Sequence, residues 1–214
     1  MKTKNILAIV IGICAIATSV QADERLEADL RETVTDLSAM GSRVTGYPGA
    51  DQAADYLKER LRDLGVTDIH EQTFPQPIPI DEGFELTSGG ERIQVFGVWP
   101  NLVRTSTTPV EGLSGEIVYG GSGAVADLEG VPIEDRIVAI EYESGYHWIN
   151  AFHLGAKAVV FLGSGHVHRA EGARKFLDVP ADLPRYFAMG KDAVRIRAMA
   201  DARVNVTVKG RMTW

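Results

Sequence analysis

Two apolar runs, Arg136 to Tyr142 and Ala158 to Leu162, bracket a short helical segment whose inward face is expected to be Trp148, Ala151, Phe152 and Gly155. That order constrains the fold more than any other feature of the chain. A strand, a covering helix and a second strand return to one sheet by a crossover, which makes the sheet parallel or mixed with the helix laid on it. Upstream, Gly115 to Tyr119 is another strand-like run. Phe84 to Thr87 and Arg92 to Val95 alternate with a period of two around Ser88-Gly89-Gly90, the pattern of a hairpin. A helix from Lys191 to Asp201 and an alternating strand from Val204 to Val208 follow.

The first third of the chain has a different character. Leu26, Leu30, Val34 and Leu37 fall at helical spacing, predicting an amphipathic helix over 23–40. Gly41, Gly46, Pro48 and Gly49 then force a loop in which Arg43 and Tyr47 are the large side chains. A second helix is predicted from Ala50 to Leu64, with Gly65 as its C-terminal stop. The small side of its stripe, Ala50, Ala53 and Ala54, implies close packing on a flat partner such as a sheet. Asp68 to Phe74 reads as a short strand. Pro75, Pro77 and Pro79 alternate through a stiff, extended connector that is the best internal boundary.

Lys2 and Lys4 precede an unbroken apolar run from Ile6 to Ala17, and Val20-Gln21-Ala22 suits a signal peptidase. Residues 1–22 are therefore expected to be a signal peptide removed before Asp23, with the protein secreted or periplasmic and not held in a membrane. The run is too short to span a bilayer, which takes roughly 20 apolar residues. Cys14, the one cysteine, leaves with it, so disulfides, zinc–thiolate sites and cysteine nucleophiles are excluded from the mature chain. Loss of Lys2 and Lys4 also takes the net charge from −7 to −9. An acidic chain without a basic cluster is a poor nucleic-acid partner.

Possible chemical groups are few. Gly121-Ser122-Gly123, followed by Ala126 and by Glu141 on the next strand, superficially matches a dinucleotide-binding fingerprint. Gly130 and Pro132 break any helix that could receive the phosphate, so a glycine turn is expected. Ser122 is one residue short of a nucleophile elbow. His166 and His168 could supply half of a metal site, but a zinc centre needs three or four ligands. His147 and His153 lie six apart on different helix faces, and Glu141 with Glu143 reads as a solvated acidic pair. No catalytic, cofactor-binding or metal-ligating residue is assigned.

Two stretches resemble a known family. Met40-Gly-Ser-Arg43-Val-Thr-Gly46-Tyr-Pro-Gly49, then Ala-Asp-Gln-Ala-Ala-Asp-Tyr-Leu and Leu64-Gly65, is similar to the opening of the secreted di-zinc exopeptidases related to bacterial aminopeptidases and glutamate carboxypeptidases. Gly115-Glu-Ile-Val-Tyr, Arg136-Ile-Val-Ala-Ile and Asn150-Ala-Phe-His-Leu-Gly-Ala-Lys-Ala-Val-Val-Phe161 resemble the protease-associated domain inserted in such enzymes. Asp178-Val-Pro and Leu183-Pro-Arg-Tyr resemble the segment that leaves that insert.

The resemblance implies an α/β fold: two N-terminal helices and a strand of an incomplete α/β peptidase domain, then a mixed α/β protease-associated domain. The expected divisions are a signal peptide at 1–22, an N-terminal peptidase segment at 23–80, the protease-associated domain at 81–190 and a return segment at 191–214. The family's zinc ligands lie downstream of the insert, so two zinc ions belong to a complete member and none to this chain. The implied function is the non-catalytic front part of a zinc-dependent exopeptidase. Its insert would act as a lid or interaction module, with a peptide substrate or the catalytic domain as partner. A standalone exported binding protein for peptides or proteins is the alternative.

Overall fold

A computed structural model describes residues 24–101, 103–165, 168–176 and 179–213. The signal-peptide and Cys14 readings, and those for His166 and Asp178, lie outside these residues. The described residues divide into two compact units, with the boundary between Ile78 and Pro79 in the run of alternating prolines.

In the first unit, α1 is helical over 24–39 and α2 spans Pro48–Asp63. Pro48 opens α2 where its missing N–H removes no helical bond. At the other end Gly65 takes φ +82° and donates to the Arg62 carbonyl, while Val66 donates to that of Leu61. This left-handed stop is the one the sequence predicts. Gly49 explains the glycine that precedes α2: a Cβ there would lie 2.3 Å from the Met40 carbonyl oxygen and 2.4 Å from that of Ser42. The Tyr56 hydroxyl donates to Thr33 Oγ1 at 3.4 Å, linking the helices. Their apolar residues remain largely open: Leu30 is 57% exposed, Val34 63% and Leu57 52%. The predicted strand at 68–74 is not formed. A strand is held by a neighbour's ladder, and no described residue pairs with this segment.

The second unit is a closed seven-stranded barrel. Its strands are β1 (Ile80–Ser88), β2 (Glu91–Gly97), β3 (Leu113–Tyr119), β4 (Ile137–Glu141), β5 (Ala158–Gly163), β6 (Arg185–Met189) and β7 (Asn205–Thr213). Around the barrel the order is β1-β2-β6-β5-β4-β3-β7. β3, β4, β5 and β6 run parallel in register, and the remaining contacts are antiparallel. Four helices accompany them: α3 (Val125–Leu128), α4 (Ile149–His153), α5 (Arg169–Phe176) and α6 (Gly190–Asp201). The mixed α/β sheet inferred from the strand–helix–strand pattern is thus present.

Alternation along β4 and β5 creates two cores. Ile137, Ala139, Ala158, Val160 and Leu162 face one cluster, shared with Ala193, Ile196 and Ala200 of α6. Val138, Ile140, Val159 and Phe161 face the other, shared with Trp148 and Ala151 at α4. Both strands are buried on both faces, which is why they read as continuous apolar runs. Gly155, expected on the inward face of α4, is exposed instead. It sits at φ +79° just past the helix end, and Ala156 takes the buried place.

The hairpin forms as predicted, with Ser88 opposite Glu91 and both Gly89 and Gly90 at positive φ. The sequence reading missed β6. Leu183-Pro-Arg-Tyr, read as the exit from the domain, begins a strand that joins β5 to β2. The segment 191–214, read as a return path, holds most of α6 and all of β7, the strand that pairs with both β1 and β3.

The ladder that closes the barrel between β1 and β7 includes one unusually tight contact. Phe84 pairs with Gly210 beside a register shift, and its ring covers the glycine. A Cβ at position 210 would stand 2.2 Å from the ring and 2.5 Å from the Gly83 carbonyl oxygen. Gly210→Ala is therefore expected to destabilise the barrel by about 2 kcal/mol through overpacking. Urea unfolding followed by circular dichroism would measure the loss.

Candidate functional site

The parallel strands bring three polar side chains to one end of the barrel. Tyr119 ends β3 and Glu141 ends β4, while Arg197 lies on the third turn of α6. The Tyr119 hydroxyl donates to Glu141 Oε1 at 2.5 Å, and Arg197 Nη1 donates to the same oxygen at 3.4 Å. The Arg197 guanidinium lies over the Tyr119 ring, 3.1 Å from its centroid. Beside this cluster is a crevice of about 300 Å³ whose walls include Leu162, Ser164, Ala193 and Val194. The carboxyl ends of parallel strands are where open α/β sheets bind ligands.

The electrostatics of the cluster favour holding over reacting. Burial, then the Glu141 hydrogen bond and charge, push the Tyr119 phenol up to about 12, against the opposing Arg197 charge. Glu141 is already engaged by two donors, and Arg197 also binds Asp201. We expect the Tyr119 phenol to stay protonated well above the ordinary tyrosine value. An ultraviolet pH titration of the protein against Tyr119→Phe would show the difference as a band that ionises only near pH 12.

Glu141 is therefore not half of a solvated acidic pair, while Glu143 is exposed as read. Ser122 is paired with an aspartate of the same turn. Its hydroxyl donates to Asp127 Oδ2 at 2.6 Å and its N–H donates to the same oxygen at 2.8 Å. Hydrogen bonds from Ser122 hold the Asp127 carboxyl below its ordinary value. Gly121 and Gly123 take positive φ, and α3 beyond them is a single turn, so the segment is the glycine turn expected. His147, His153 and His168 are all exposed. Among the described residues no three His, Cys, Asp or Glu side chains converge as a metal site.

A second polar cluster escaped the sequence reading. Lys175 of α5 is 1% exposed, and its ammonium donates to Glu171 Oε1 at 2.5 Å, Gly145 O at 2.9 Å and Ser144 Oγ at 3.0 Å. The Gly145 N–H donates to Glu171 at 2.6 Å. Burial raises the Glu171 carboxyl, but the Lys175 hydrogen bond and charge, helped by Gly145 and Arg174, bring it below its ordinary value. Arg185 is also buried. It donates through Nη1 to the Lys175 carbonyl, and burial, with the Arg104 charge, lowers its guanidinium to about 10. The i, i+4 spacing of Glu171 and Lys175 is the sequence signal that could have found this pair.

Comparison with known proteins adds the fold. No protein-family profile matches the chain, and no curated protein does. A zinc aminopeptidase from Bacillus subtilis matches with a TM-score of 0.62 at 21% identity, over 85% of this chain and 42% of that one. A medium-resolution structure of the same enzyme gives 0.56 at 18% identity over the same shares. A peptidase M28 precursor from Shewanella amazonensis SB2B gives 0.58 at 17% identity, over 85% of this chain and 46% of that one. The chain thus spans less than half the length of the structures it resembles. It has the fold of part of a zinc-aminopeptidase structure.

Proposed function

We propose that this chain is the front, non-catalytic portion of a secreted or periplasmic zinc-dependent exopeptidase. The observation that carries this reading is the fold likeness, which takes in 85% of this chain but only 42% of the Bacillus aminopeptidase. The sequence resemblance supports the same assignment. The Gly-Ser-Arg loop with α1 and α2 corresponds to the opening of the peptidase domain, and the barrel to the protease-associated insert. In a complete enzyme two zinc ions supply the hydrolytic chemistry. The described residues bring no metal-ligand cluster together and so do not fit that centre.

On this reading α1 and α2 cover a sheet contributed by the catalytic domain, which explains their open stripe of Leu30, Val34 and Leu57. The barrel serves as lid or docking module for the peptide substrate. No described helix is long and apolar enough to cross a membrane. A second reading, a standalone exported binding protein, is favoured by one feature: the barrel closes on itself and carries both of its cores within residues 79–214.

Hydrogen exchange on the purified chain separates the two. A unit that lacks its packing partner opens at low free energy. The front-portion reading predicts that residues 24–74 exchange much faster than residues 113–165. Equal protection of both in a monomer would contradict it and favour the standalone binder.

A further inference from the structure

We propose that the cavity bounded by β2, β6 and α5 binds an uncharged aromatic ring. Its volume is about 320 Å³, the low end of the ligand-pocket range and suited to one or two fused rings. Its walls are aromatic: Phe96, Trp99, Tyr142, Phe176 and Phe187. Trp99 meets Phe176 edge-on at 5.9 Å, and Tyr142 meets Phe187 at 5.0 Å with a 57° tilt. Such walls offer both faces and edges, the geometry aromatic rings prefer. Phe96 remains 42% exposed at the rim, apolar surface that an occupant would cover.

Among the described residues that line the cavity, Lys175 is the single charged side chain, and it defines the class of ligand. An ammonium has three donors, and these already meet Glu171, Gly145 and Ser144. None is left to bind an anionic ligand. The same charge lies 5.6 Å from the Tyr142 ring, so a cationic ligand in this aromatic box would be repelled. A charged ring would also lose its hydration without a partner. What remains is a neutral ring, either free in a small molecule or carried on a peptide side chain. The proposal stands on the barrel alone and does not depend on the peptidase reading.

The test is a titration of the ¹⁵N-labelled full chain with indole and, separately, with N-acetyl-L-tryptophanamide, following amide shifts. Indole is expected to give saturable shifts at Gly97, Val98 and Gly172. Benzoate and benzylammonium are expected to bind at least about tenfold more weakly. Tighter binding of the amide than of indole assigns the ring to a peptide, and the reverse assigns it to a small molecule. Gly172 lines the cavity, and a Cβ there would already stand 3.1 Å from the Tyr142 hydroxyl. Gly172→Leu is therefore expected to fill the space and abolish the indole shifts. If that variant does not fold, Phe96→Ala, at a half-exposed wall, is expected to weaken indole at least about threefold. The proposal fails if the folded wild type shows no saturable shift at those amides, or if the charged rings bind as tightly as indole. It fails equally if a folded Gly172→Leu or Phe96→Ala keeps full affinity.

Discussion

Replacing Trp148 with alanine is expected to destabilise the barrel unit by about 4 kcal/mol. Trp148 is fully buried, and its ring meets Phe161 edge-on at 5.8 Å. Its indole N–H donates to the Arg174 carbonyl at 3.0 Å, which fastens α5 to the β4–β5 layer. The Arg185 guanidinium lies 5.7 Å from the same ring, so truncation also removes favourable surroundings from a buried cation. The loss should appear in urea unfolding as a lower midpoint with an unchanged slope. A loss under about 1 kcal/mol would mean that the second core does not hold the unit together.

The Glu171–Lys175 pair carries the other large effect. Lys175→Met leaves the Glu171 carboxylate in a nearly closed site with Gly145 and Arg174 as its remaining donors, and should cost about 3 kcal/mol. Glu171→Met strands the ammonium with two neutral acceptors and should cost about 4 kcal/mol. The double variant should cost clearly less than the sum, because it removes both charges together. Acid reports the same coupling. The folded Glu171 carboxyl lies below its ordinary value, so its stabilising contribution is full above the usual carboxylate range. That contribution is lost as pH falls through the depressed folded value. Wild-type stability should therefore fall more steeply from about pH 5 to about pH 2 than that of Lys175→Met. Parallel pH profiles would show that the pair is not ionised as described.

The secondary structure was legible where local signals and burial agreed. β4 and β5 were readable because burial on both faces leaves a continuous apolar run, and the β1–β2 hairpin because two glycines suit its turn. β6 was not, because it opens after Pro184 with the charged Arg185, and its strand character comes from its neighbours. The segment at 68–74 shows the opposite case, a strand-like composition with no ladder to join. Of the polar clusters, Tyr119–Glu141–Arg197 could not be anticipated. Its members are brought together by sheet register and by α6, across 78 residues of sequence. The Glu171–Lys175 pair was written in helical spacing, yet its burial depends on the Ser144–Gly145 loop that closes over it. Neither cluster supplies a nucleophile with its base, nor a metal cage.

On the proposed reading, these residues frame a peptidase without supplying its reaction. Equilibrium dialysis of the purified chain against zinc, paired with an assay on leucine p-nitroanilide, tests it most directly. The expected result is no stoichiometric zinc and no turnover. Zinc retained in fixed ratio to the chain, with hydrolysis that a chelator abolishes and zinc restores, would contradict it.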